Sequence, residues 1–191
     1  DMSVSMQDVQ WVVTSYLLVI TATLLFFGKL GDIKGSGKVF TYGILIFTTG
    51  SFLCSLSSTL PMLVGSRVFQ SLGASMMMAT GIGIVSNTFP ANERGKALGI
   101  TGGIVGLGNL SGPSIGGLLV AKFSWPIIFL LNIPIGLAGF ILALKFLSDD
   151  GAKEERFQFD GWGNLMFALS VIMLLLGLGQ EQSINIYLVF L

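Results

Sequence analysis

Apolar and polar positions in this chain fall in long blocks rather than in a helical or strand period. Uncharged runs of helix-spanning length alternate with short clusters that hold most of the charge. A helix needs about 20 mostly apolar residues to cross a bilayer, so these blocks are the units to count. The first, 9–28, has Trp11 and Tyr16 near its start, where amphipathic rings favour the membrane interface, and it closes on KLGDIKGSGK, 29–38. The next uncharged run, 39–66, is too long for one span, and SLSSTLP at 55–61 supplies a polar break with proline at a helix start.

The pattern predicts transmembrane helices at about 9–30, 39–57, 61–86, 95–121, 125–147 and 162–179, with INIYLVFL beginning another. The fold class is therefore all-α integral membrane. Residues 1–147 form one helical bundle, SDDGAKEERFQFDG at 148–161 is a charged spacer, and 162–191 holds an additional helix and the start of the next. A soluble bundle needs charged outer faces on its helices, and these runs have none. The chain begins with Asp1 and ends inside an apolar stretch, which reads as part of something longer.

Composition agrees with the blocks. The 191 residues are 52% hydrophobic and 10% charged, against about a quarter charged in soluble domains. Ten basic residues balance ten acidic ones, leaving no basic surplus for nucleic acid. Where the basic residues fall matters more. Lys29, Lys34, Lys38, Arg94, Lys96, Lys145, Lys153 and Arg156 lie on one side of the predicted spans and only Lys122 on the other. The positive-inside rule puts loops 29–38, 87–96 and 148–161 in the cytoplasm, with the protein in the cell membrane.

Enzymatic readings find little support. Cys54 is the single cysteine and histidine is absent, which excludes an internal disulfide framework and the common zinc patterns. GSGK at 35–38 fails as a phosphate loop, because Asp32 stands at the first glycine position and Val39 replaces the hydroxyl residue. GLGNLS and GIGIVS each lack the third glycine of a dinucleotide fingerprint.

Three constellations remain. Arg67 lies about 9 Å into its predicted helix, and a charge near mid-bilayer costs roughly 2.5–3.5 kcal/mol. It either snorkels to the outer interface or joins Gln70, one turn on, in a polar strip beside the small residues Gly73 and Ala74. Asp32 sits among three lysines in a glycine-rich turn, Gly28, Gly31, Gly35 and Lys38 included, where a carboxylate pairs with lysine or with a helix N-terminus as a cytoplasmic latch. The stretch 99–117, GITGGIVGLGNLSGPSIGG, puts Gly108, Gly112 and Gly116 on one face, and Pro113 frees the Asn109 carbonyl. It predicts a bent helix whose glycine face lies against another helix.

These motifs resemble those of the major facilitator superfamily, and among its members the drug:proton antiporters of the fourteen-helix branch. GKLGDIKGSGKVF resembles the loop motif between helices two and three, and LVGSRVFQSLGAS the helix-four motif with Arg67, Gln70 and Gly73 in place. Gly99, Gly108, Gly112, Pro113, Gly116 and Gly117 match the helix-five antiporter motif, SWPIIFLLNIPIG is similar to the sixth-helix signature, and FDGWGNLMFAL to the helix after it.

The resemblance implies proton-coupled export of drugs or other amphiphilic organic molecules by alternating access. It gives Arg67 and Gln70 to proton coupling, Asp32 and its neighbours to a conformational latch, and the glycine–proline set to a bend at the bundle interface. It implies no cofactor, the proton gradient being the energy source. The partners it implies are the lipid bilayer, protons, small amphiphilic substrates, and a first helix and C-terminal bundle of the same protein. A non-transporting fragment or partner subunit, or a facilitator for another small solute, is the alternative.

Overall fold

A computed structural model describes residues 6–147, 162–163, 166–170 and 173. The helices are α1 (Met6–Lys34), α2 (Ser36–Ser55), α3 (Leu60–Thr88), α4 (Ala91–Lys122), the short α5 (Ile127–Leu130) and α6 (Asn132–Phe146). Among the described residues, five segments are long and apolar enough to cross a membrane, α5 and α6 counting as one. The spacer expected at 148–161 lies outside the described residues, as does much of the helix expected at 162–179, whose described residues are helical.

Helices run past the predicted edges on the basic side. The cluster 29–38, expected as a loop, is helical except at Gly35, the single residue joining α1 to α2. Hydropathy marks where the bilayer ends, whereas a helix continues into water until something stops it. Here the stop is Gly35 at φ 93°, a left-handed conformation that glycine adopts at little cost. On the opposite side, Thr59 caps α3 by accepting a hydrogen bond from the Met62 amide, with Pro61 at the start of the helix. The single helix expected at 125–147 is interrupted at Leu131, three residues before Pro134, which has no amide proton to give to the Leu130 carbonyl.

The bundle is built with small and polar residues inside and large apolar residues outside. On α2, Gly37, Thr41, Gly43, Thr48, Gly50, Ser51 and Cys54 are buried, while Tyr42, Leu45 and Phe52 face outward. On α3 the buried face carries Ser66, Gln70, Ser71, Gly73, Ala74, Ser75 and Thr80. Lipid solvates leucine as well as a neighbouring helix does, so close backbone approach and interhelical hydrogen bonds must hold the helices together. The buried hydroxyls of Thr41, Thr48, Ser66 and Thr80 each donate to the carbonyl one turn earlier, leaving none to be desolvated unpaired.

The α2–α3 pair is the most extensively packed, followed by α1 on α3. At Gly73 the α3 backbone meets α2 so closely that a Cβ would overlap the Phe47 amide nitrogen and come within 2.6 Å of the Gly43 carbonyl oxygen. Gly50 approaches Gln70 in the same way, with a Cβ there 2.6 Å from the Gln70 Cα. The seam expected at Gly73 and Ala74 is thus present and is lined by glycine from both helices. Thr23 ties α1 to it, donating to the Ser75 hydroxyl at 2.9 Å, while Ser75 donates to the Ile20 carbonyl at 3.3 Å.

Candidate functional site

Close packing at Gly50 and Gly73 determines what surrounds Arg67. With α2 and α3 in backbone contact, Gln70 is fully buried, and its amide bridges the two helices. Its Nε2 donates to Ser51 Oγ at 2.6 Å, and Ser51 passes its own proton to the Phe47 carbonyl at 2.9 Å. Its Oε1 accepts from Arg67 Nη1 at 2.8 Å and faces the Cys54 thiol at 3.9 Å. Arg67 is therefore directed deeper into the span, toward Gln70, and of the two sequence readings the polar strip is the one realised.

Two aromatic rings complete the setting. The Arg67 guanidinium carbon lies 3.9 Å from the centre of the Tyr16 ring on α1 and 5.6 Å from that of Phe129 on α5. A desolvated cation over an aromatic face gains about 2 kcal/mol, and a hydrogen bond to a charged group about 1.5–3 kcal/mol. Together, at about 3.5–5 kcal/mol, these offset the roughly 2.5–3.5 kcal/mol cost of a charge placed within the span. One buried donor is left over: Arg67 Nε makes no hydrogen bond to a described residue.

Sequence reasoning missed Tyr16, Ser51, Cys54 and Phe129. Tyr16 was expected at the membrane interface beside Trp11; Trp11 is exposed, whereas Tyr16 lies under the guanidinium. The available signal was the GS pair at 50–51, a close-approach residue followed by a hydroxyl on α2.

The latch residues lie together at the basic end. Gly31 is buried where a Cβ would come within 2.6 Å of Thr80 Cγ2, so α1 crosses α3 at this point, and Gly28 lies 4.0 Å from Ala79 by the same measure. Asp32 is exposed and forms no ion pair with a described residue; Lys38, also exposed, opens α2. The expected pairing of Asp32 across the turn is not formed, because Gly35 lets α1 and α2 continue as helices on either side and leaves both side chains facing outward.

The glycine helix departs from expectation in one respect. α4 runs helical through Pro113, yet Gly99, Gly108, Gly112, Gly116 and Gly117 have nothing within 4 Å of the position a Cβ would occupy. No residue of α4 is buried. The expectation that this face lies against another helix is corrected among the described residues: α4 touches only α3 and α5, and neither covers the seam. On α3, Met76 is buried and Met78 exposed, while Met77 borders a groove between α2 and α6.

The Major Facilitator Superfamily pattern matches residues 1–191. The chain belongs to that superfamily. It is 53% identical over 188 residues to the riboflavin transporter RibZ of Clostridioides difficile, covering 98% of this chain and 41% of that protein. It is 35% identical over 178 residues to the tetracenomycin C resistance and export protein of Streptomyces glaucescens, covering 93% and 33%. With multidrug resistance protein 3 of Bacillus subtilis it shares 30% identity over 190 residues, covering 94% and 37%. The chain thus spans less than half the length of the curated relatives it matches.

Proposed function

We propose that this chain is the N-terminal portion of a proton-coupled transporter that moves amphiphilic organic molecules, drugs among them, by alternating access. The observation that carries the reading is Arg67. A guanidinium held within a span by Gln70, Tyr16 and Phe129, with Nε still unmatched, is a charge retained for use in a place where charge is costly. Proton coupling is assigned to Arg67 and Gln70. The latch role goes to Gly28, Gly31, Asp32, Gly35 and Lys38, whose exposed basic end is open to a second bundle. The bare glycine face of α4, Gly99 to Gly117 with Pro113, receives a helix from the part of the protein that its relatives have beyond these residues. Two bundles rocking about a midplane site is the expected cycle.

A second reading concerns the cargo. The relative sharing 53% identity is named a riboflavin transporter, which favours a planar heteroaromatic vitamin over a broad range of drugs. Everted membrane vesicles carrying the full-length protein separate the two. Acid-driven accumulation of cationic dyes, unaffected by riboflavin, supports drug export; labelled riboflavin movement that dyes do not inhibit supports the vitamin. Movement of neither, under a gradient that drives a known antiporter, contradicts the proposal.

A further inference from the structure

The outer face of the bundle carries a second feature, unconnected with Arg67. At Gly136 the α6 backbone packs on the Thr48 side chain of α2, whose hydroxyl a Cβ would overlap. One turn toward the basic side the contact loosens: a Cβ at Gly139 would reach only Ile44, at 4.0 Å. A groove of about 680 Å³ opens here, walled by Phe40, Ile44 and Phe47 of α2 and by Gly139 and Phe146 of α6, with Met77 of α3 bordering it. That volume is in the range of small-molecule sites, about 300–1,000 Å³. Phe40 and Phe47 lie about 6 and 16 Å along α2 from Ser36 at 1.5 Å per residue, the cytoplasmic-side half of a hydrocarbon core about 30 Å thick.

The mouth of the groove is basic. Lys145 is exposed, and its Nζ lies 5.3 Å from the centre of the Phe146 ring that walls the groove. The acidic residues described on this side, Asp32 and Glu93, belong to α1 and α4, and neither helix contributes to the walls. Among the described residues of the apolar stretch that follows α6, Trp162, Met166 and Met173 are exposed and none lines the groove.

We infer that this groove is a binding site for an anionic phospholipid of the cytoplasmic leaflet. One acyl chain lies along the groove over Phe40, Ile44 and Phe146, and Lys145 holds the phosphate. A lysine at the membrane surface favours an anionic headgroup about five-fold. The groove supplies the depth that turns this preference into a site, and the inference stands whichever solute the transporter carries.

Native mass spectrometry of the purified full-length protein, titrated with phosphatidylglycerol or phosphatidylcholine, tests it. Wild type is expected to retain one phosphatidylglycerol at concentrations about five-fold below those needed for phosphatidylcholine. Lys145→Ala should abolish that preference, and Gly139→Leu, which puts a side chain into the groove, should reduce retention of both lipids while the protein stays monodisperse. Equal retention of the two lipids by wild type, or an unchanged preference in Lys145→Ala, would overturn the assignment; the exposed lysine keeps this arm decisive if Gly139→Leu does not fold. A disulfide forming between Leu142→Cys and Met166→Cys in membranes would also overturn it, by making the chain's own following helix the occupant.

Discussion

The guanidinium of Arg67 rests 3.9 Å from the centre of the Tyr16 ring, which joins α1 to α3 through a cation and a π face within a membrane span. The ring, and not the hydroxyl, faces the charge. Tyr16→Phe is therefore expected to keep both stability and transport near wild type. Tyr16→Leu removes the face and is expected to cost about 2 kcal/mol and most of the coupled transport. Thermal unfolding of the purified full-length protein and vesicle transport, compared across the two variants, check this; equal losses in both would assign the contribution to the hydroxyl.

Ser51 is the acceptor for the buried Gln70 amide at 2.6 Å. Ser51→Ala leaves that amide unpaired in a space with no water access, and a loss of about 1–3 kcal/mol is expected. The same change at Ser58, exposed in the α2–α3 connection, should be silent. Thermal midpoints of the two variants, measured side by side, report the difference.

The α2–α3 seam tolerates no side chain at Gly73, where the clash is with backbone of α2. Gly73→Leu should prevent the helices from meeting and yield protein that aggregates on extraction. Gly65→Leu, on the same helix with nothing within 4 Å, should behave as wild type. Fluorescence-detected size exclusion from solubilised membranes distinguishes the two, and a monodisperse Gly73→Leu peak would contradict the packing described.

On α4 the expectation is reversed. Gly112 and Gly116 meet nothing among the described residues, so leucine at either leaves α1–α3 and α6 undisturbed. If the face receives a helix from the rest of the protein, both variants remain extractable and monodisperse while transport is lost. Wild-type transport in Gly112→Leu would remove the reason for assigning that face a partner.

The first five of the six expected spans, and their order, were legible because bilayer thickness sets a length that uncharged runs must meet, and Pro61, Pro90 and the lysine clusters punctuate them. Helix ends on the basic side were not, since the residues that end a hydrophobic run do not end a helix; Gly35 does so between α1 and α2, and Phe89 and Pro90 between α3 and α4. Arg67 and Gln70 announced themselves as polar residues in apolar surroundings. Tyr16 and Phe129 did not, because aromatic residues are common in spans, and which of them faces a cation depends on how α1 packs on α3 and where α5, held by α2, α4 and α6, places its ring. The glycines of α4 and those of α2 and α3 look alike in sequence. Only the fold separates Gly73, whose Cβ would enter a neighbouring backbone, from Gly112, whose Cβ would meet nothing described.

The central claim is that the charge on Arg67 links proton movement to substrate. It is tested most directly by proton release from the purified full-length protein on addition of a transported dye or riboflavin, in lightly buffered solution with a pH indicator. Wild type is predicted to release protons in proportion to bound substrate, and Arg67→Ala to bind substrate yet release none while remaining folded. Proton release by Arg67→Ala equal to that of wild type would contradict the account.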